Sequence, residues 1–152
     1  MGAFDSYYRQ FGRLMVLDGA GQAVVRLGIE PNVGSTGHPW GVDSVDQIPD
    51  WVGCFRHEAA ALKAVAPNLK IEWTMAKRGK LPVSALSLYP GDDAVDLFGV
   101  HYYDTGPVKS TQALWDRYYQ ATLYGGPAGS DGVGNTPPGA GAGYWPADQS
   151  CR

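Results

Sequence analysis

The sequence predicts an α/β fold built on a parallel sheet. Apolar runs of strand length alternate with apolar stripes of helical spacing, in the order helix, strand, helix, strand, irregular segment, strand, helix. This alternation implies right-handed crossovers between neighbouring parallel strands. The first strand run, residues 23–29 (AVVRLGI), contains a single polar side chain, the pattern of a strand buried on both faces of a parallel sheet.

Each element follows from local pattern. Residues 4–18 (FDSYYRQFGRLMVLD) place Tyr7, Tyr8, Phe11, Leu14, Met15 and Leu17 at mostly three-to-four spacing, which predicts an amphipathic helix. Gly19-Ala20-Gly21 stops it. After the strand at 23–29 comes a Gly- and Pro-containing polar loop, residues 30–45. A second helix is expected from Asp46 to Val65, with Trp51, Cys54, Phe55, Ala59, Leu62 and Val65 on its apolar stripe. Pro49 suits its first turn and Pro67 lies just past its end. Residues 69–75 (LKIEWTM) form the second expected strand. Residues 76–94 read as irregular, with a turn at Tyr89-Pro90-Gly91-Asp92. Residues 95–101 (VDLFGVH) form the third strand. A last helix is expected over 110–124, with Ser110 as its cap and Leu114, Trp115, Tyr118 and Leu123 on its apolar side. From residue 125 the chain is Gly-, Pro-, Ala- and Ser-rich with no structural period. The expected organisation is therefore one domain over 1–124 and a disordered tail over 125–152.

Composition removes several function classes. The net charge is −3, with no basic excess to meet a nucleic acid. No apolar run approaches the ~20 residues of a membrane span. The N-terminus has neither a basic n-region nor an apolar h-region, so the chain as written reads as cytoplasmic. The two cysteines, Cys54 and Cys151, say little about redox compartment. The Gly-rich tail neither follows a strand nor opens a helix, so it is not a phosphate loop. Asp92, Asp93 and Asp96 fit no calcium-loop spacing and are expected at turns and caps. His57 is expected to be structural and Arg26 to form a buried salt bridge. No cofactor and no metal are expected. Five Trp and nine Tyr are many for 152 residues, and exposed aromatic rings are platforms for sugars.

In parallel α/β sheets, reactive side chains gather just past the carboxyl ends of strands. Here those ends are Glu30, residues 74–77, and His101 to Asp104. Glu30 is the leading candidate, because a half-buried carboxyl at such a mouth suits proton donation. The segment Arg26-Leu27-Gly28-Ile29-Glu30-Pro31-Asn32, followed by His38-Pro39-Trp40, resembles the fourth-strand signature of glycoside hydrolase family 26. The likeness extends through Phe55-Arg56-His57, Ile71-Glu72-Trp73, Tyr89-Pro90-Gly91-Asp92-Asp93 and Gly99-Val100-His101-Tyr102-Tyr103-Asp104, and covers about residues 4–124.

The resemblance implies a (β/α)₈-barrel hydrolase of the retaining type acting on β-linked polysaccharides, mannan above all. It implies Glu30 as general acid/base. It also implies Asn32, Trp40, His101 and Tyr103 as substrate contacts, with His101 standing where the sixth strand often carries an acidic residue. Members of that family are often secreted. On this mapping the chain supplies only strands four to six of a barrel that needs roughly 200–250 residues. Residues 125–152 contain no Glu, so the nucleophile of the seventh strand is missing. The expected consequence is a truncated chain, inactive alone, whose open sheet edges and exposed apolar inner faces promote self-association. The alternative reading is a non-catalytic carbohydrate-binding or interaction module.

Overall fold

A computed structural model describes residues 2–77 and 79–101, together with residue 116. The expected helix over 110–124, the tail over 125–152 and the candidate Tyr103 lie outside the described residues.

Among the described residues the fold is mixed α/β, with a three-stranded parallel sheet and two α-helices. Helix α1 spans Asp5–Leu17, strand β1 Val24–Leu27, helix α2 Ile48–Lys63, strand β2 Lys70–Ala76 and strand β3 Leu97–His101. The strands lie in chain order, β1-β2-β3, and both pairings are parallel. Short 3₁₀ turns occupy Pro31–Val33, Val45–Gln47 and Ala85–Leu88. The last of these gives local structure to the stretch 76–94 that the sequence leaves irregular. Among the described residues, no helix is long and apolar enough to cross a membrane.

The register sorts the strands' side chains into two faces. Leu27, Ile71, Trp73, Met75 and Phe98 fall on one face, since Leu27 is level with Trp73 and Trp73 with Phe98. This face meets Phe55, Ala59 and Leu62 of α2 to make the core. Trp73 is fully buried and contacts both Tyr89 and Phe98 through its ring. Arg26, Glu72, Thr74, Gly99 and His101 fall on the other face.

Two expectations are corrected here. Strand β1 is shorter than residues 23–29 and is not buried on both faces, because Val24 and Arg26 are exposed. It stops where Gly28 and Glu30 take left-handed backbone angles, with φ of +54° and +49°. It also lies at one end of the strand order, so the most buried strand is the central β2. The second correction concerns the face turned away from α2. It was expected to be apolar, and it does expose Val24 and Leu97, but it also carries an arginine, a glutamate, a threonine and a histidine. Exposed apolar side chains concentrate instead on α1 and the residue before it, at Phe4, Tyr7, Phe11, Leu14 and Leu17.

Helix α2 also buries a carboxyl group. Glu58 is 7% exposed and lies against Tyr8 of α1. Burial pushes its pKa from 4.5 up to about 7, and the hydrogen bond from the Tyr8 hydroxyl offsets only part of this. The expected turn duty of the aspartates holds. Asp93 pairs with Arg56, Asp92 accepts from the Tyr89 hydroxyl, and Asp96 accepts from the Ile71 N–H and from Lys63.

Candidate functional site

The carboxyl ends of the three strands and the loop after β1 bring one polar cluster together. Glu30 is its centre. The chain leaves β1 through Gly28, where a side chain would collide with the Trp51 ring, the nearest atom lying 2.9 Å from an added Cβ. Glu30 itself is the only non-glycine with positive φ among the described residues. A glutamate in this region costs about 1–3 kcal/mol, which the surroundings must hold in place. Its backbone N–H donates to the Thr74 carbonyl at 3.2 Å, and Pro31 begins the 3₁₀ turn immediately after.

The Glu30 side chain is held at both oxygens. His101 Nδ1 lies 2.7 Å from Oε1, and His38 Nε2 lies 3.1 Å from Oε2. His101 ends β3 and His38 comes from the loop, so three separate segments converge on one carboxyl group. The residue is 8% exposed, and this burial strengthens its polar contacts.

The cluster continues across the sheet. Arg26 Nη1 lies 2.7 Å from His101 Nε2. The same guanidinium donates to both oxygens of Glu72, through Nε at 3.1 Å and Nη2 at 3.2 Å. Glu72 also accepts from the Thr74 hydroxyl at 2.9 Å. The register explains the pairing, since Arg26 is level with Glu72 and His101 with Ala76. Gly99 leaves the room required, because a Cβ there would lie 2.2 Å from Glu72 Oε1. The expected Arg26 salt bridge is therefore present, although it is part-exposed rather than buried.

Asn32 lies under this cluster. Its Nδ2 donates to the Ala76 carbonyl at 2.9 Å, and its Oδ1 accepts the Ala76 N–H at 3.0 Å. The amide group is committed to the sheet, and its visible task is to hold the loop. Further along, Ser35 donates its hydroxyl and its backbone N–H to Asp43, which keeps that carboxyl below its usual range. Trp40 is 49% exposed on the same loop. Thus Glu30, His101 and Asn32 are brought to one end of the sheet, and Trp40 offers an open ring on the loop that delivers His38. His101 pairs with Glu30 and Arg26.

Sequence reading does not reach the contact of His38 with Glu30 or the Arg26–Glu72 pair. The signal for the pair was available only as register, through two opposite charges on facing strands. A cavity of about 500 Å³ lined by Val16, Gly21, Val65 and Asn68 lies at the amino end of the strands, away from Glu30. Among the described residues, no cluster of His, Cys, Asp or Glu is arranged to hold a metal ion. No protein-family model matches the chain, and no curated protein sequence matches it significantly.

Proposed function

We propose that this chain carries the proton-transfer side of a glycoside hydrolase site. The parent enzyme is a (β/α)₈ barrel cleaving β-linked, mannan-type polysaccharides with retention. Glu30 is the general acid/base. The observation that carries the reading is the Glu30 carboxyl group, buried at the carboxyl end of a parallel strand on strained backbone and contacted by imidazoles from two other segments. Strain of this kind gathers at functional sites, and the mouth of a parallel sheet is where such sites form. Three neighbouring parallel strands in chain order are compatible with an arc of a barrel.

A retaining mechanism needs a second carboxylate ~5–5.5 Å from the first. Within the hydrogen-bonded cluster the other carboxylate is Glu72, and both its oxygens are engaged by Arg26. Turnover is therefore expected to need a nucleophile from outside this cluster, which a complementary fragment would supply. The test is reducing-end release from β-mannan and xylan by wild type and Glu30→Gln, with and without that fragment. Release that depends on Glu30 supports the hydrolase, and release that survives the substitution sinks it. The half-exposed Trp40 favours a second reading, a non-catalytic carbohydrate-binding module. Titration with manno- and xylo-oligosaccharides, followed by Trp fluorescence, supports that reading if binding occurs while release stays absent under every condition.

A further inference from the structure

We infer that Arg26 fixes which nitrogen of His101 carries the proton, and thereby makes Glu30 exchange its own proton through one oxygen only. The inference deepens the proposed acid/base role of Glu30, on which its functional meaning rests. The argument begins with a property of arginine. A guanidinium donates hydrogen bonds and accepts none, and it stays protonated in proteins. Arg26 Nη1 sits 2.7 Å from His101 Nε2, so that nitrogen must offer its lone pair. A neutral imidazole carries its one proton on the remaining nitrogen. His101 is therefore the Nδ1–H tautomer.

Its Nδ1–H donates to Glu30 Oε1 at 2.7 Å, so Oε1 is an acceptor whether or not the carboxyl group is ionised. When Glu30 holds a proton, that proton lies on Oε2, the oxygen facing His38 Nε2 at 3.1 Å. His38 is then the group through which the proton arrives and leaves. Arg26 is itself oriented by its two hydrogen bonds to Glu72, which in turn accepts from Thr74. Arg26 and Glu72 are positioning residues. They touch neither Glu30 nor the proton that moves, and they act through the His101 ring.

The decisive measurement is the pair of imidazole ¹⁵N shifts of His101 in the full chain near neutral pH. The expected spectrum has a protonated Nδ1 and an unprotonated Nε2. A protonated Nε2, alone or in an imidazolium, would overturn the inference. Arg26→Met should release the lock and populate the Nε2–H form or the imidazolium, whereas Arg26→Lys, which still donates, should restore the wild-type pattern in part. A folded Arg26→Met chain with the wild-type pattern also overturns it. If that variant does not fold, the wild-type spectrum decides alone. None of these readouts needs turnover. A chain with the expected tautomer and no Glu30-dependent hydrolysis leaves the inference standing and removes the hydrolase reading instead.

Discussion

Glu30 and Glu58 are buried to nearly the same extent, 8% and 7% exposed, yet they sit in opposite chemical settings. Glu58 faces a helix interface and is met by one phenol, and burial dominates it. Glu30 sits at the strand ends and is contacted at each oxygen by an imidazole. Depth alone therefore does not mark a working carboxyl group. The partners decide whether the proton is trapped or can move. A neutral glutamic acid against a tyrosine is packing material, whereas a carboxyl group between two histidines can pass a proton on.

The largest effect expected from breaking this contrast lies at Glu58. Its folded pKa stands above its ordinary value, so the folded chain binds the extra proton. The resulting stability is fully present below about pH 4.5 and is lost as pH rises through about 7. The loss is on the order of 3 kcal/mol. Thermal denaturation at several pH values should show this slope, and Glu58→Gln should flatten it. A variant that keeps the slope would show that another group titrates.

Next in size is His101→Leu, which strips one partner from Glu30 and one from Arg26. Leaving a buried polar atom unmatched costs about 1–3 kcal/mol, to be read from denaturant midpoints near pH 7. An unchanged midpoint would mean that water replaces the imidazole without cost. Tyr8→Phe should cost less, about 1 kcal/mol, and more above about pH 7 than below it, because the Tyr8 hydroxyl donates to Glu58 and favours the ionised carboxylate. The smallest effect is expected for Asp93→Asn. The Arg56 guanidinium holds Asp93 below its usual range, so its contribution is present at neutral pH and is lost as pH falls. Asp93 is largely exposed, and such pairs contribute about 0–1 kcal/mol. Its pH dependence runs opposite to that of Glu58, and the two single variants separate the slopes.

Much of the scaffold was legible in the sequence. The amphipathic spacing of residues 4–18 and the caps around residues 46–65 anticipated α1 and α2 to within a few residues. The apolar runs anticipated β2 and β3 for the same reason. Strand β1 was misjudged because a run such as Ala23-Val24-Val25-Arg26-Leu27 does not reveal which face is covered. Arg26 was the clue, a lone charge that belongs to the polar face.

The position of Glu30 was also legible, since strand ends are marked by the shift from apolar to polar residues. Its partners were not. Glu30 and His101 lie 71 positions apart, and only the register of three strands sets them side by side. The loop path that returns His38 depends on Asn32 and Asp43 pairing with backbone, which no spacing rule predicts.

Asn32 has a further consequence for how the molecule opens. Past Leu27 one backbone bond to β2 remains, from the Glu30 N–H to the Thr74 carbonyl, and beyond it the Asn32 amide takes over as a substitute rung on Ala76. A side chain that completes a ladder ties the loop's lifetime to the sheet's. The loop and the end of β2 should therefore open together as one unit, and the Ala76 amide should exchange with solvent at the rate of the loop. In Asn32→Ala that amide should exchange faster while the centre of β2 stays protected, which makes hydrogen exchange at one position a clock for the whole mouth of the sheet.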